Sequence, residues 1–190
     1  MQFPNQNTAN RRFAGVVFSV LMLIIFLGNP ERSLAMDIEV ERIDLERYMG
    51  DWYVQGHIPT FPEKGAVNSI ESYRLMDDGS IAVQNTFRFE DPDKKPRKLT
   101  ARARIKDTAT NAEWRIRFFW PIRFPFLVEY LDQDYTKTII GLPGKQFVWI
   151  MSRERVIEES DYNRMVEMVR SDGYDISKLR RVPQIWESSD

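Results

Sequence analysis

The chain has 190 residues, with 27 basic and 28 acidic side chains, a net charge near −1 and no cysteine. Such a balanced charge gives no electrostatic footprint for nucleic acid. The absence of cysteine excludes disulfides, thiolate metal sites, a cysteine nucleophile and a lipid-modified N-terminal cysteine.

The first 35 residues have the pattern of a secretory signal peptide. Arg11 and Arg12 precede an apolar run over residues 13–27, and Ser33-Leu34-Ala35 then places small residues where a signal peptidase cleaves. The uninterrupted apolar part is shorter than the roughly 20 residues of a membrane span. We therefore expect cleavage after this triplet and one domain over residues 36–190. An uncleaved membrane anchor and a buried helix are the alternatives, and the arginine pair also hints at twin-arginine export.

The expected mature chain is nearly neutral and fits one domain. Residues 1–35 contain three arginines and one glutamate, so 24 basic and 27 acidic side chains remain, a net charge of −3. A chain of this length buries about 68–70% of its unfolded surface. No linker, low-complexity segment or repeat divides it.

From Gly50 onward, short alternating runs between turn residues predict antiparallel strands joined in sequence. Asp77-Asp78-Gly79 is a strong hairpin turn, because its glycine accepts the positive φ of tight turns. Eight strands are expected, over Trp52–Ile58, Val67–Met76, Ile81–Phe89, Leu99–Lys106, Trp114–Phe119, Phe126–Leu131, Thr136–Ile140 and Gln146–Ser152.

After the strands, the apolar period changes to that of one amphipathic helix. Tyr162, Met165, Val166 and Val169 form its stripe, and Gly173 is placed to end it. A helix with one apolar stripe must lie against the outside of the sheet. Eight sequential strands and one late helix predict an all-β fold, an eight-stranded up-and-down barrel with a C-terminal helix outside, because closure removes the exposed sheet edges.

Alternation within the strands decides which side chains face the barrel interior. Between Leu99 and Lys106 one parity carries three cations, which cannot all be buried unpaired, so the alanines of the other parity face inward. The same reasoning turns the aromatic parity of the next strand inward. The predicted lining is Val83, Phe87, Ala101, Ala103, Trp114, Ile116, Phe118, Phe126, Val128 and Tyr130. It describes an apolar chamber suited to an acyl chain, and a filled barrel without a ligand is the alternative.

The start of the first strand is suited to closing one end of the barrel. An eight-stranded barrel needs a bulky group at its narrow end, and Trp52 can be that plug. Gly50 lets the incoming backbone pass beneath it without a Cβ clash.

Three segments resemble the signatures of the lipocalin family. Gly50-Asp51-Trp52 resembles the first signature, Leu131-Asp132-Gln133-Asp134-Tyr135 the second, and Trp149-Ile150-Met151-Ser152-Arg153 the third. Pro62-Glu63-Lys64-Gly65 and the segment 173–179 are similar to the branch that holds the bacterial outer-membrane lipocalins and apolipoprotein D. The resemblance covers about residues 40 to 186.

The resemblance implies a ligand-binding calyx without catalytic residues or cofactor. It also implies a structural role for Gly50, Trp52, Asp132, Tyr135 and Arg153, with the arginine over the tryptophan face. Such a contact is worth about 0.5–2 kcal/mol.

The second strand departs from the family pattern. Alignment with the family places Glu71 and Tyr73 on the inward parity, where relatives usually carry a small residue in place of Glu71. A carboxylate in an apolar barrel must find a partner or become neutral. Two interpretations stay open: a one-residue shift leaves Glu71 outside, or Glu71 is a polar group near the mouth that orients a ligand head group.

The remaining polar residues do not form a catalytic site. Hydrolysis needs a nucleophile, a base and an orienting group, and the single histidine, His57, is expected to be an ordinary exposed or half-buried side chain. No Cys/His spacing for a metal exists. The loop 120–125, with aromatic residues beside Arg123, fits either contact with a bilayer surface or a cap over the barrel mouth.

Together these patterns predict a non-enzymatic, exported lipocalin of the periplasm or outer membrane, without cofactor or nucleic-acid partner. It would bind and store or transport a fatty acid, lysophospholipid or similar amphiphile, with peripheral membrane contact possible through loop 120–125. The alternative from another class is a membrane-anchored structural or docking module of the envelope without a dedicated ligand.

Overall fold

The computed structural model describes residues 42–91, 93–118 and 121–186. The predicted signal peptide therefore lies outside the described residues, as do Phe119 at the end of the predicted fifth strand and Trp120 in the loop after it. Among the described residues, no helix has the length and hydropathy that crossing a membrane requires.

The described chain forms a short helix, a series of nine strands and one longer helix. The short helix α1 spans Leu45–Tyr48, and the longer helix α2 spans Glu159–Ser171. The strands are β1 (Gly50–Ile58), β2 (Ala66–Leu75), β3 (Ile81–Phe89), β4 (Arg97–Ile105), β5 (Glu113–Arg117), β6 (Phe124–Leu131), β7 (Lys137–Gly141), β8 (Val148–Ser152) and β9 (Arg180–Arg181). Short 3₁₀ turns lie at Phe61–Glu63 and Ile176–Lys178.

The first eight strands close into an antiparallel up-and-down barrel, which confirms the predicted fold class. Each strand from β2 to β7 pairs with the next along the chain, β8 pairs with β1, and β1 pairs with β2. The turn at Asp77-Asp78-Gly79 joins β2 to β3 as expected, with Gly79 at φ 72°.

The barrel seam between β1 and β2 is closed along only part of its length. The lower half of β1, Gly50 to Tyr53, pairs with β2. The upper half pairs instead with β9, through Gly56 and His57. The C-terminal segment therefore fills the gap between the two strands, and this short ninth strand was not predicted.

Asn68 joins this C-terminal segment to β2. Its side chain donates to the carbonyl oxygen of Ile185 over 2.7 Å and accepts from the Ile185 N–H over 2.6 Å. Its backbone N–H donates to the carbonyl oxygen of Pro183, and its φ is 51°. The pairing of β2 with β3 shifts register between Val67 and Ile70, which is a bulge at Asn68. Asparagine accepts this left-handed conformation more readily than most residues, so the bulge and the tail contact depend on the same residue.

Two apolar clusters lie on opposite sides of the sheet. The inner cluster fills the closed half of the barrel and includes Trp52, Tyr73 and Trp114. The outer cluster joins α2 to the outward faces of β7 and β8, and includes Tyr162, Met165 and Val169 of the predicted stripe. Helix α2 therefore packs outside the barrel, as its single apolar stripe predicts.

Candidate functional site

The closed end of the barrel is an aromatic floor. The Trp52 indole is fully buried, and its Nε1 donates to the carbonyl oxygen of Tyr48 over 3.0 Å. The Tyr48 ring centroid lies 5.1 Å from that of Trp52, 5.7 Å from that of Tyr73 and 5.5 Å from that of Trp114. Gly50, at φ 98°, brings the chain beneath this floor. Trp52 therefore has the plugging position expected from the sequence.

Arg153 lies beneath the floor and joins β8 to the N-terminal segment. Its guanidinium carbon is 3.7 Å from the Trp52 ring centroid. Its two terminal nitrogens donate to four carbonyl oxygens, those of Arg47, Tyr48, Met49 and Asp51, over 2.8–2.9 Å, and its Nε donates to that of Tyr135 over 3.3 Å. The arginine thus holds the turn that leads into β1.

The second signature shapes the loop between β6 and β7. The Asp132 carboxylate accepts from the backbone N–H groups of Thr136 and Lys137 over 2.6 and 2.8 Å. The Tyr135 hydroxyl accepts from the backbone N–H of Asp44 over 2.8 Å, and the Arg47 guanidinium lies 4.0 Å over its ring. Both residues position loops at the closed end, away from the barrel interior.

Most of the predicted lining residues contact the inner cluster. Val83, Ala103, Trp114, Ile116 and Val128 are buried in it, together with Tyr73, while Ala101 and Phe126 pack against it with part of their surface exposed. Phe126 lies 6.1 Å from Trp114 and 5.9 Å from Trp149, measured between ring centroids.

Two lining residues lie near the mouth. Phe87 is buried and its ring meets that of Phe89 edge-on at 5.4 Å. Phe118 comes after the last residue of β5, contacts Phe124 at 6.2 Å and is 51% exposed. Phe118 is therefore a residue of the rim, because the strand that was expected to turn it inward ends at Arg117.

The expected inward position of Tyr130 is wrong. A bulge shifts the pairing of β6 with β7 between Val128 and Tyr130. Val128 stays in the inner cluster, but Tyr130 packs against the outer cluster beside α2. One extra residue in a strand reverses the parity of everything after it, and the sequence carries no glycine or proline at this point to signal the bulge.

A polar cluster of Glu63, Glu71 and Asn85 lies inside the upper half of the barrel. Glu71 is 8% exposed and Glu63 is 3% exposed. The side-chain amide of Asn85 donates to Glu71 Oε1 over 2.7 Å and to Glu63 Oε1 over 3.1 Å, so one amide bridges both carboxylates. The Ser69 hydroxyl lies 3.3 Å from Asn85 Oδ1. Glu71 therefore faces inward, so the one-residue shift is wrong, and its role in orienting a ligand head group stays a prediction.

Glu63 reaches the interior from the loop between β1 and β2. Its Oε1 accepts from the Trp149 indole N–H over 3.0 Å, and its Oε2 accepts from the Thr60 backbone N–H over 3.2 Å and from the Thr60 hydroxyl. These contacts fold the 3₁₀ turn Phe61–Glu63 over the barrel mouth. Glu63 is a buried acceptor that the sequence analysis noted only within the family resemblance.

Burial changes the protonation of Glu71. Loss of hydration and, second, the Glu63 carboxylate raise the pKa of Glu71 from its ordinary value of 4.5 to about 8, and the hydrogen bonds with Asn85 and Tyr73 oppose this rise. Glu71 is therefore largely neutral at pH 7.

His57 faces the same interior, contrary to the expectation of an ordinary exposed or half-buried side chain. It is 2% exposed, and its Nδ1 lies 4.0 Å from Glu63 Oε1 without a hydrogen bond. Burial lowers the pKa of His57, although the Glu63 carboxylate opposes the change. A bulge between Val54 and Gly56 precedes it in β1, so simple alternation from Trp52 does not predict its direction.

Part of the apolar lining on β4 and β6 remains accessible to solvent. Inward residues of β2 and β3, such as Tyr73 and Val83, are buried, whereas Leu99, Ala101 and Phe126 keep intermediate exposure although they belong to the inward parity. Partly exposed apolar groups on the concave side of a closed sheet line a space that solvent or a ligand can enter.

Sequence alternation could have identified Asn85 but not Glu63 or Trp149. Asn85 lies between Val83 and Phe87 on a parity already assigned to the interior. Glu63 lies in a loop, and loops are ordinarily solvent-exposed. Its burial depends on the distant indole of Trp149.

Comparison with known proteins agrees with this architecture. The family model of the lipocalin-like domain matches residues 43–184. The chain belongs to the lipocalin family. It is 34% identical to temperature-induced lipocalin-1 of Arabidopsis thaliana over 154 residues, which are 76% of this chain and 81% of the relative.

The resemblance to the bacterial outer-membrane branch of lipocalins is likewise confirmed. This lipocalin is 28% identical to the outer membrane lipoprotein Blc of Citrobacter freundii over 163 residues, which are 85% of this chain and 90% of the relative. Its fold matches that of insecticyanin from Manduca sexta with a TM-score of 0.59 at 17% identity, over 79% of this chain and 84% of the other.

Proposed function

We propose that this lipocalin is an exported, non-enzymatic protein of the cell envelope that binds and stores or transports one small hydrophobic or amphiphilic ligand. Fatty acids, lysophospholipids and similar molecules are the candidates. The observation that carries the proposal is the partly exposed apolar lining at Leu99, Ala101 and Phe126, above a floor sealed by Trp52. Each Å² of apolar surface that an acyl chain removes from water there would contribute about 25 cal/mol to the free energy of binding.

Competition binding tests the proposal. Delipidated protein is titrated with N-phenyl-1-naphthylamine, an uncharged apolar fluorophore, and the probe is displaced with fatty acid or lysophospholipid. We expect saturable binding near one probe per chain and displacement by at least one amphiphile. Absence of saturable binding would contradict the proposal.

A pair of tryptophan substitutions shows whether the probe enters the barrel. Ala101→Trp adds an indole to the lining and should abolish probe binding. Ala82→Trp adds the same group on the neighbouring β3, where Ala82 pairs with Arg74 and Arg102 on the opposite parity from Val83. That control should bind the probe like the parent protein.

Export and envelope location depend on the N-terminal segment. The relative from Citrobacter freundii is named an outer membrane lipoprotein, which favours the envelope, although this chain has no cysteine to carry a lipid. Mass spectrometry of the native protein should find a chain that starts at Met36. A chain that retains residues 1–35 would favour the anchored alternative.

Peripheral membrane contact belongs to the same proposal and is supported by apolar side chains in the mouth loops. Phe61 is 73% exposed in the loop between β1 and β2, and Ile122 and Phe118 are exposed in the loop between β5 and β6. Lys64 and Arg123 lie beside them on the exposed surface. Apolar tips next to cations suit an anionic lipid surface.

Vesicle co-sedimentation tests this contact. We expect binding to vesicles with 30% anionic lipid and a several-fold loss in a Phe61→Ser and Ile122→Ser double variant. The exposed Val156, which lies beyond β8, supplies the matched control Val156→Ser. Equal sedimentation of all three proteins would remove the proposed contact.

A further inference from the structure

The buried polar groups inside the described barrel include two carboxyl groups, those of Glu63 and Glu71, and no basic side chain other than His57. Among the residues that the structure describes, the buried polar or charged set contains Glu63 and Glu71 but no lysine or arginine. The arginines of β4 and β5 point outward, and several pair there with Asp78 or Glu113. A negatively charged head group entering the chamber would therefore meet the Glu63 carboxylate and no buried lysine or arginine.

The carboxyl groups of Glu63 and Glu71 differ in the hydrogen bonds that they accept. Both oxygens of Glu63 accept hydrogen bonds, from Trp149, Asn85 and Thr60. Glu71 Oε1 accepts from Asn85, and the Tyr73 hydroxyl is the other described hydrogen-bond partner of the Glu71 carboxyl group. Glu63 is thus part of the loop closure, whereas Glu71 keeps acceptor capacity for another donor.

Two further polar groups in this interior keep hydrogen-bonding capacity. Tyr73 is 2% exposed, lies two residues after Glu71 on the same inward face of β2, and its hydroxyl has only the Glu71 carboxyl group as a partner among the described residues. His57 Nδ1 is equally buried and unpaired in the described structure. Buried polar groups without partners are uncommon and costly in native proteins, and a group that fills such a site with donors relieves this cost.

A primary ammonium supplies hydrogen-bond donors and a positive charge to these groups. It carries three N–H donors and one positive charge, enough to reach Glu71 Oε2 and the Tyr73 hydroxyl together. A carboxylate head group offers no donor. We propose that the chamber selects amphiphiles with an ammonium head group, of the long-chain amine class, and that Glu71 is the residue that recognises the head group. This inference rests on the proposed ligand-binding function and narrows its ligand class away from fatty acids.

The number of protons that Glu71 releases or takes up when a ligand binds distinguishes an ammonium head group from a carboxylate. Burial and the Glu63 carboxylate keep the pKa of Glu71 near 8. The other titratable groups around it are Tyr73 on β2, Tyr48 on α1, and His57, which faces Glu63. An ammonium beside Glu71 lowers its pKa, so amine binding at pH 7 releases a proton. A fatty carboxylate would raise it and would take up a proton instead.

The test compares three ligands with the same chain: dodecylamine, 1-dodecanol and dodecanoic acid. Each displaces N-phenyl-1-naphthylamine from delipidated protein at pH 7, below its critical micelle concentration. Calorimetry in two buffers of different ionisation enthalpy counts the protons exchanged with the amine. The parent, Glu71→Gln and Glu113→Gln are measured side by side. Glu113→Gln is the matched control, because it removes a carboxylate that pairs with Lys106 and Arg115 outside the barrel.

The parent and Glu113→Gln should bind the amine at least tenfold more tightly than the acid, with proton release. Glu71→Gln should lose this preference while it binds the alcohol within twofold of the parent. A preference below tenfold in the parent, proton uptake with the amine, or a preference that survives in Glu71→Gln would overturn the inference and leave the proposed function intact. If neither the fluorophore nor any of the three ligands binds, the proposed function fails as well.

Discussion

The Arg153 guanidinium carbon lies 3.7 Å from the centroid of the Trp52 ring, so the last barrel strand covers the first from below. The same arginine donates hydrogen bonds to the carbonyl oxygens of Arg47, Tyr48, Met49 and Asp51. This single side chain therefore holds the turn that leads into β1 and places Trp52 at the closed end of the barrel.

Removal of the floor should destabilise the whole fold. Trp52→Ala deletes a fully buried indole and its hydrogen bond to Tyr48, and we expect a loss of about 3–5 kcal/mol in the free energy of unfolding. Urea denaturation followed by circular dichroism measures it. A midpoint equal to that of the parent would mean that Trp52 does not plug the barrel.

Replacement of Arg153 separates its geometry from its charge. Arg153→Ala should cost about 2–4 kcal/mol because four carbonyl acceptors lose a charged donor. Arg153→Lys keeps the charge, but one ammonium cannot reach all four carbonyls and has no plane to stack on the indole. Most of the loss should therefore appear in Arg153→Lys too. Full stability of the lysine variant would show that charge alone suffices.

The protonation of Glu71 should make stability fall as pH rises. Its pKa is about 8 in the folded chain and near 4.5 when unfolded, so between these values the unfolded chain loses its proton first and is stabilised. The penalty is absent below pH 4.5, grows through pH 4.5–8 and reaches at most about 5 kcal/mol above pH 8.

Glu71→Gln isolates this contribution. Glu129, whose pKa burial raises to about 7, acts in the same direction, so the informative quantity is the difference between parent and variant. We expect Glu71→Gln to gain stability over the parent as pH rises from 5 to 8, measured by thermal unfolding at each pH. Glu113→Gln should show no such gain. Parallel curves for parent and Glu71→Gln would contradict the buried, neutral state.

Gly141 marks a close approach between the barrel and the segment after α2. A Cβ at this position would lie 1.8 Å from the Tyr174 hydroxyl and 2.5 Å from Glu129 Oε2, and these two groups hydrogen-bond each other. Gly141→Ala should therefore cost about 1–3 kcal/mol or more through overpacking, measured by urea denaturation. Gly144→Ala is the control, since its Cβ would meet only the side-chain tip of the exposed Gln146. Equal midpoints for the two variants would show that Tyr174 can move aside.

The tail contact of Asn68 can be tested by proteolysis. Asn68→Gly keeps the positive φ but removes both side-chain hydrogen bonds to Ile185, so we expect faster cleavage within residues 180–186 and a loss of about 1–3 kcal/mol. Asn68→Ala adds backbone strain and should be less stable than the glycine variant. Unchanged cleavage in both would mean that the backbone contacts of the tail and the hydrogen bond from Gln184 to β1 hold it without the Asn68 side chain.

Val128 has the inward direction that strand alternation predicts, whereas Tyr130, two residues later, does not. Alternation correctly assigned Ala101, Ala103, Trp114, Ile116 and Val128 to the inner cluster. Successive side chains of a strand point to opposite faces, and the face that carries cations must stay in contact with solvent. It failed at Tyr130, since a bulge depends on how two strands pair and leaves no local mark.

The sequence by itself determined the closed eight-stranded barrel, the outer helix and the position of the Trp52 floor, since each follows from short-range spacing and turn residues. The tertiary structure alone decided that Glu63 folds into the mouth, that Asn85 bridges it to Glu71, and that His57 joins them inside the barrel. These groups come from separate parts of the chain, and their hydrogen bonds and protonation exist only when barrel closure brings them together and excludes water.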